Sequence, residues 1–225
     1  MTLTTPVSLA VQAVVDPQIT EFARLTCPPL QESRYLELKP SKSKARKFFF
    51  ALDLHEIAPI LPSLIGAIFR VIQFLGPENC ALSIVEGRSE DDTYEILEKL
   101  SSEAKKIGFE YYLDKIDDIN PKEHGDRIKG LADLRNMALL PLYENRTAYT
   151  SDAIVVFLND IVPCEDDILE LLYQMKIQEA DMVCSMDWTE KGEWFYDVWV
   201  ARGMNGDTFV SLSFNTPSLL GDYCG

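Results

Sequence analysis

From about residue 47 onward the chain alternates short apolar runs with longer segments whose apolar residues recur at helical spacing. The first run, 48–53, reads as a buried strand, and 56–75 as a helix with Pro59 and Pro62 in its first turns, where a missing N–H removes no hydrogen bond. A second strand is expected over 80–85, a helix over 90–107, a short strand over 109–113, and a helix from Asp126 to about Tyr143. The unbroken run AIVVFL at 153–158 predicts the most buried strand, because a strand covered on both faces shows no polar alternation. A helix over 165–178 and a strand over 182–186 complete the pattern. Alternating units of this length predict one α/β domain, a mostly parallel sheet with helices on both faces.

Ahead of this region, Cys27-Pro28-Pro29 and Lys39-Pro40 interrupt any periodicity. The expectation is an irregular amino-terminal arm, 1–45, followed by a domain over 46–225. Pro59, Pro62 and Arg70 break the longest apolar stretch, so no segment reaches the roughly twenty apolar residues of a membrane-spanning helix. The first fifteen residues lack the basic start and cleavage site of a signal peptide. A net charge of −15 argues against nucleic acid as a partner, since the one basic cluster, 39–47, has no interleaved aromatics. The five cysteines show no C-x-x-C spacing, which argues against a zinc site and leaves the redox compartment open. Asn145-Arg146-Thr147 is a glycosylation sequon.

Open parallel sheets bind ligands beyond the carboxyl ends of their strands, so the residues just after each apolar run carry the functional information. After the second strand come Glu86, Gly87, Arg88, Ser89 and Asp91. Glu86 or Asp91 can accept from a base or ribose and Ser89 can donate, while Ser89, Asp91 and Asp92 read equally well as helix caps. After the run 153–158 come Asn159 and Asp160, oxygen donors suited to Mn²⁺ or Mg²⁺ held against a diphosphate; capping of the next helix is the plainer role. On the helix 126–143, Arg127 and Arg135 fall beside the stripe of Ile128, Leu131, Leu134 and Ala138, where each guanidinium needs an acid or a ligand oxygen. All three tryptophans lie within 188–199, among Asp187, Tyr196, Asp197 and Arg202. Aromatic faces there can stack on a pyranose ring, or simply fill a hairpin core. A phosphatase built on Asp53-Leu54-His55 fails for want of a second aspartate.

These motifs in this order resemble glycosyltransferase family 69, the fungal capsule-associated α-1,3-mannosyltransferases, over roughly residues 22–214. The resemblance rests on Cys27-Pro28 with Ser33-Arg34-Tyr35, on Glu86 with Ser89, Asp91 and Thr93, and on Arg127-Ile128 with Arg135-Asn136. Phe157-Leu158-Asn159-Asp160, Met186-Asp187-Trp188, the segment 195–202 and Asn205-Gly206-Asp207 complete it. It implies a GT-A-like, Rossmann-type nucleotide-sugar fold that moves mannose from GDP-mannose to a mannosylated glycan with retention, assisted by Mn²⁺ or Mg²⁺ at Asp160. It further implies Asp160, Asp187 and Arg202 as catalytic residues. Glu86, Ser89, Asp91, Arg127, Arg135, Asn136 and Asn159 would hold the donor, and Trp188, Tyr196, Asp197 and Trp199 the acceptor. His55 and His124 are expected to be structural. Members of the family carry an amino-terminal membrane anchor and continue past the position of Gly225, so a chain cut short is expected, from the Golgi lumen or, lacking a targeting segment, the cytoplasm. The alternative is an inactive homologue that binds nucleotide or a partner protein.

Overall fold

The computed structural model describes residues 7–40, 45–121 and 127–185. The elements so described lie in the first of two compact units, Met1–Asp181 and Met182–Gly225. Helices α1 (Val7–Val15) and α2 (Glu32–Tyr35) come first, then β1 (Arg46–Leu54), α3 (Leu61–Leu75), β2 (Cys80–Glu86) and α4 (Thr93–Ile107). After β3 (Glu110–Lys115), α5 (Arg127–Glu144), β4 (Tyr149–Leu158) and α6 (Glu165–Ile177) close the unit. The four strands are parallel, in the order β3-β2-β1-β4.

Strand order accounts for the placement of the helices. The chain steps from β1 to β2 to β3 in one direction, then crosses back past β1 to β4, and right-handed crossovers put the helix of a reversed step on the opposite face. The pleat of β1 divides the apolar run accordingly. Phe48, Phe50, Leu52 and Leu54 enter one core with residues of α1, α3, α4 and α6, while Phe49 and Ala51 meet Leu134 and Ala138 of α5. Every residue of α3 except Arg70 and Gln73 is buried, because α1 covers the side that the sheet does not. The amino-terminal arm is thus not wholly irregular: Ala10, Ala13 and Val14 of α1 belong to the main core. Helix α4 stops at Gly108, whose φ of +102° suits a residue without Cβ and lets its N–H reach the Ala104 carbonyl at 2.9 Å.

Three expectations need correction. The run 153–158 is not the most buried strand. β4 lies at the edge of the described sheet, with Val155 42% and Phe157 36% exposed, whereas all seven residues of β2 are buried. An apolar run reports that both faces can be buried, but α5 packs on β1 and β2 and leaves the outer face of β4 open. Residues 182–185, expected in a strand, form none, and Met182 is 83% exposed. The helix expected from residue 56 begins only at Leu61, after Pro59 and a positive φ at Glu56. Among the described residues, no helix is long and apolar enough to cross a membrane.

The carboxyl-terminal flank of the unit is held by ion pairing. Arg34 donates to both oxygens of Glu170 at 2.7 Å. This hydrogen bonding, and next that of Gln174, lowers the Glu170 carboxyl from 4.5 to about 2. A depressed carboxylate stabilises the fold above its unfolded value and loses that contribution as pH falls through the folded one. The stability difference between the native chain and Glu170→Gln is therefore expected to be full at pH 6, to shrink below about pH 4.5 and to vanish near pH 2. Because both side chains are about a third exposed or more, it should stay below about 1 kcal/mol in urea titrations.

Candidate functional site

The crossing back from β3 to β4 opens a crevice between the carboxyl ends of β1 and β4, the topological switch point where open α/β sheets take ligands. Register places Leu52 beside Leu158 and Leu54 beside Glu86, so the loops after β1, β2 and β4 leave the same edge. A cavity of about 360 Å³ fills this edge. Asp53 and His55 line it from β1, Gly87 and Arg88 from β2, Asn159 and Asp160 from β4, and Arg127, Leu131, Leu134 and Arg135 from α5. The last four recur at i, i+4, i+7 and i+8, one helical face, with Leu134 resting on the sheet. Ile128, expected on that buried stripe, is instead 83% exposed.

The walls carry both signs of charge. Burial above all raises the Asp53 carboxyl from its ordinary value; the charge of Asp160 raises it further, opposed by Arg135 and His55. Asp53 and Asp160 thus face one space, near enough to feel each other, with the Arg135 guanidinium 3.5 Å from the Asn159 side-chain oxygen beside them. Arg88, Arg127 and Arg135 concentrate positive charge in a chain of net charge −15. His55 uses Nδ1 on the Gly87 carbonyl at 2.7 Å, tying the β1 loop to the β2 loop. At Gly87 any Cβ would come 2.9 Å from the Ile116 carbonyl oxygen, so this wall of the cavity needs glycine.

Three residues expected to hold the donor, Arg127, Arg135 and Asn159, therefore line one cavity together with Asp160, expected as the metal ligand. Three others stand behind the wall. Ser89 Oγ accepts from the Glu56 N–H at 2.8 Å, and Asp91 accepts from Ala58 N–H and Thr93 N–H, each at 3.0 Å. Both side chains are engaged in fastening residues 56–58, with Thr93 Oγ1 taking the Ile57 N–H at 2.9 Å. Glu86 is fully buried; one oxygen accepts from Ser89 N–H at 2.9 Å and the other has no protein partner. Asn136 is exposed and does not line the cavity. Asp187, Trp188, Tyr196, Asp197, Trp199, Arg202 and His124 lie outside the described residues. Sequence reasoning weighs Asp53 only in a phosphatase motif that fails, not as a donor-site residue; its signal is an acid at the end of the apolar run of what proves to be an inner strand.

Asp91→Ala should leave two backbone N–H groups unpaired, one of them on the half-buried Ala58. The expected cost is about 1–3 kcal/mol, read as a lower urea midpoint at unchanged slope.

Among the described residues no three His, Cys, Asp or Glu side chains gather as a ready-made metal cage. Asp53, Asp160 and the Asn159 amide, which line one cavity, are oxygen donors of the kind that would suit a hard cation such as Mg²⁺ or Mn²⁺.

Comparison with known proteins places the chain in a family. A family described as cryptococcal mannosyltransferase 1 matches residues 47–218. The alpha-1,3-mannosyltransferase CMT1 of Cryptococcus neoformans var. neoformans serotype D is 36% identical over 208 residues, 88% of this chain and 42% of its own length. The chain thus spans less than half of that relative. No solved structure matches.

Proposed function

Since the chain belongs to the cryptococcal mannosyltransferase 1 family, we propose that the cavity between β1 and β4 binds a nucleotide-sugar donor, GDP-mannose, for transfer of its mannosyl group to a mannosylated glycan. The observation that carries this reading is the convergence of Asp53, Asn159 and Asp160 with Arg127 and Arg135 on one cavity at the switch point. Arginines offer planar, bidentate donors to diphosphate oxygens, and here they border carboxylates that would otherwise repel the ligand.

Asp160 and Asp53, with the Asn159 amide oxygen, would hold Mn²⁺ or Mg²⁺. Such an ion, when bound, neutralises charge on the leaving nucleoside diphosphate. Arg127 and Arg135 orient the diphosphate so that its bond to the sugar C1 faces the open side of the cavity. With retention, that C1–O bond breaks and the acceptor oxygen bonds to the same face of C1. The acceptor proton passes to the departing phosphate oxygen, so no protein base is required. Glu86, buried behind the wall, acts with Ser89 and Asp91 on the loops that shape the cavity rather than on the donor. Asp187 and Arg202, with Trp188, Tyr196, Asp197 and Trp199, are proposed for sugar and acceptor contacts.

Calorimetry with GDP and Mn²⁺ tests the donor site, and incubation with GDP-mannose, Mn²⁺ and α-mannobiose tests transfer. A trisaccharide product supports the full reading. Binding without product or donor hydrolysis would leave a nucleotide-binding homologue, and absence of both would overturn the proposal.

A further inference from the structure

The donor cavity makes no use of Cys27-Pro28 or Ser33-Arg34-Tyr35, two of the chain's most distinctive motifs. All of these residues but Ser33 and the prolines act instead on α6. Cys27 is disulfide-bonded to Cys164, 137 positions later. Cys164 is the N-cap of α6, and its own N–H is taken by Asp167 at 2.8 Å. Further along the helix, Tyr35 Oη lies 2.9 Å from Asp166 and 3.0 Å from Glu170. Arg34 forks onto Glu170 and stacks 4.8 Å from the Tyr173 ring centre. Lys176 reaches back to the Glu37 carbonyl at 2.6 Å. The arm therefore grips one face of α6 over its whole length, and covalently at its N-cap.

That N-cap, Cys164, is four positions after Asp160. The connecting loop has Asn159, Asp160 and Ile161 exposed, and the turn and loop hydrogen bonds among the described residues include none from 160–163. Around Asp160 the chain is fixed by the end of β4 at Leu158, paired with Leu52, by the Arg135 bond to the Asn159 side chain, and by the buried Pro163 and disulfide-bonded Cys164. We propose that the Cys27–Cys164 disulfide, backed by the Arg34–Glu170 and Tyr35 contacts, positions Asp160 at the cavity, so that reduction of this bond weakens metal-dependent nucleotide binding. Cys27 and Cys164 are positioning residues; neither lines the cavity. The inference rests on the donor-site reading for its ligand, but not for its mechanics.

The test compares the oxidised full chain with chain treated with a phosphine, which does not compete for the metal as a dithiol would. One disulfide becomes two thiols, the phosphine is oxidised to its oxide, and water supplies the oxygen and both protons. A Cys27→Ser, Cys164→Ser double variant serves as a second route, since serine keeps the N-cap of α6. GDP binding is measured with and without Mn²⁺, and hydrogen exchange is followed by peptide. The expected result is at least a tenfold loss of GDP affinity with Mn²⁺, little change without it, and faster exchange confined to the region 159–168. Equal loss with and without metal, or faster exchange throughout β1 and α3, would mean a merely structural bond and overturn the inference. If oxidised protein binds no GDP at all, the donor-site reading fails, and exchange alone decides: faster at 159–168 on reduction upholds the positioning role, unchanged exchange there removes it.

Discussion

With the donor site as proposed, Asp160→Ala should lower Mn²⁺-dependent GDP binding, and the mannosyl transfer proposed to follow it, by at least about 100-fold, because loss even of a group that merely supports a metal ligand commonly costs 10–100-fold. Asp160 is exposed at the cavity rim, so the variant should melt with the native protein, which separates loss of the site from loss of the fold. GDP binding without metal should persist, since Arg127 and Arg135 remain. Asp53→Asn sharpens the test. Its carboxyl is raised by burial and by the charge of Asp160, so at neutral pH the ionised group opposes folding, and an amide of the same shape should leave the fold as stable or slightly more so. The same substitution should weaken metal-dependent binding. A cavity whose metal affinity survived both changes would not be the donor site.

The largest effect on stability is expected at Phe50→Ala. Phe50 is fully buried on β1, faces the main core and pairs with Leu82 on one side and Val156 on the other. Removing a buried ring from the central strand costs the transfer term and leaves a void that the neighbouring strands cannot close, about 3–5 kcal/mol in all. For a unit of this size that corresponds to a drop in Tm of roughly 6–20 °C. Val155→Thr, one register step away on β4, should change stability by about 0.5 kcal/mol or less, since Val155 is 42% exposed. A scanning calorimeter distinguishes these outcomes directly. Similar costs at the two positions would contradict the placement of β1 inside the sheet and β4 at its edge.

The two largest effects fall on different kinds of residue, and they were legible to different degrees. Periodicity alone located eight of the described elements, because a strand repeats every second residue and a helix every third or fourth, and neither pattern depends on distant chain. The acids after the second strand and after the run 153–158 could likewise be read in place. The motif order was enough to indicate the family.

Tertiary structure alone decided the rest, because those features depend on residues far apart in sequence. Strand order made β1 rather than β4 the protected strand, and so turned Asp53 into a wall of the cavity. Pairing of the 55–60 and 86–93 loops turned Ser89 and Asp91 from candidate ligands into acceptors for backbone N–H groups, which must be satisfied before any donor is. A bond between positions 137 apart joined an arm that sequence reads as irregular to the loop that carries Asp160. Local pattern specifies what each segment can become; only the closure of long loops determines which side chains have hydrogen-bonding capacity left for a ligand.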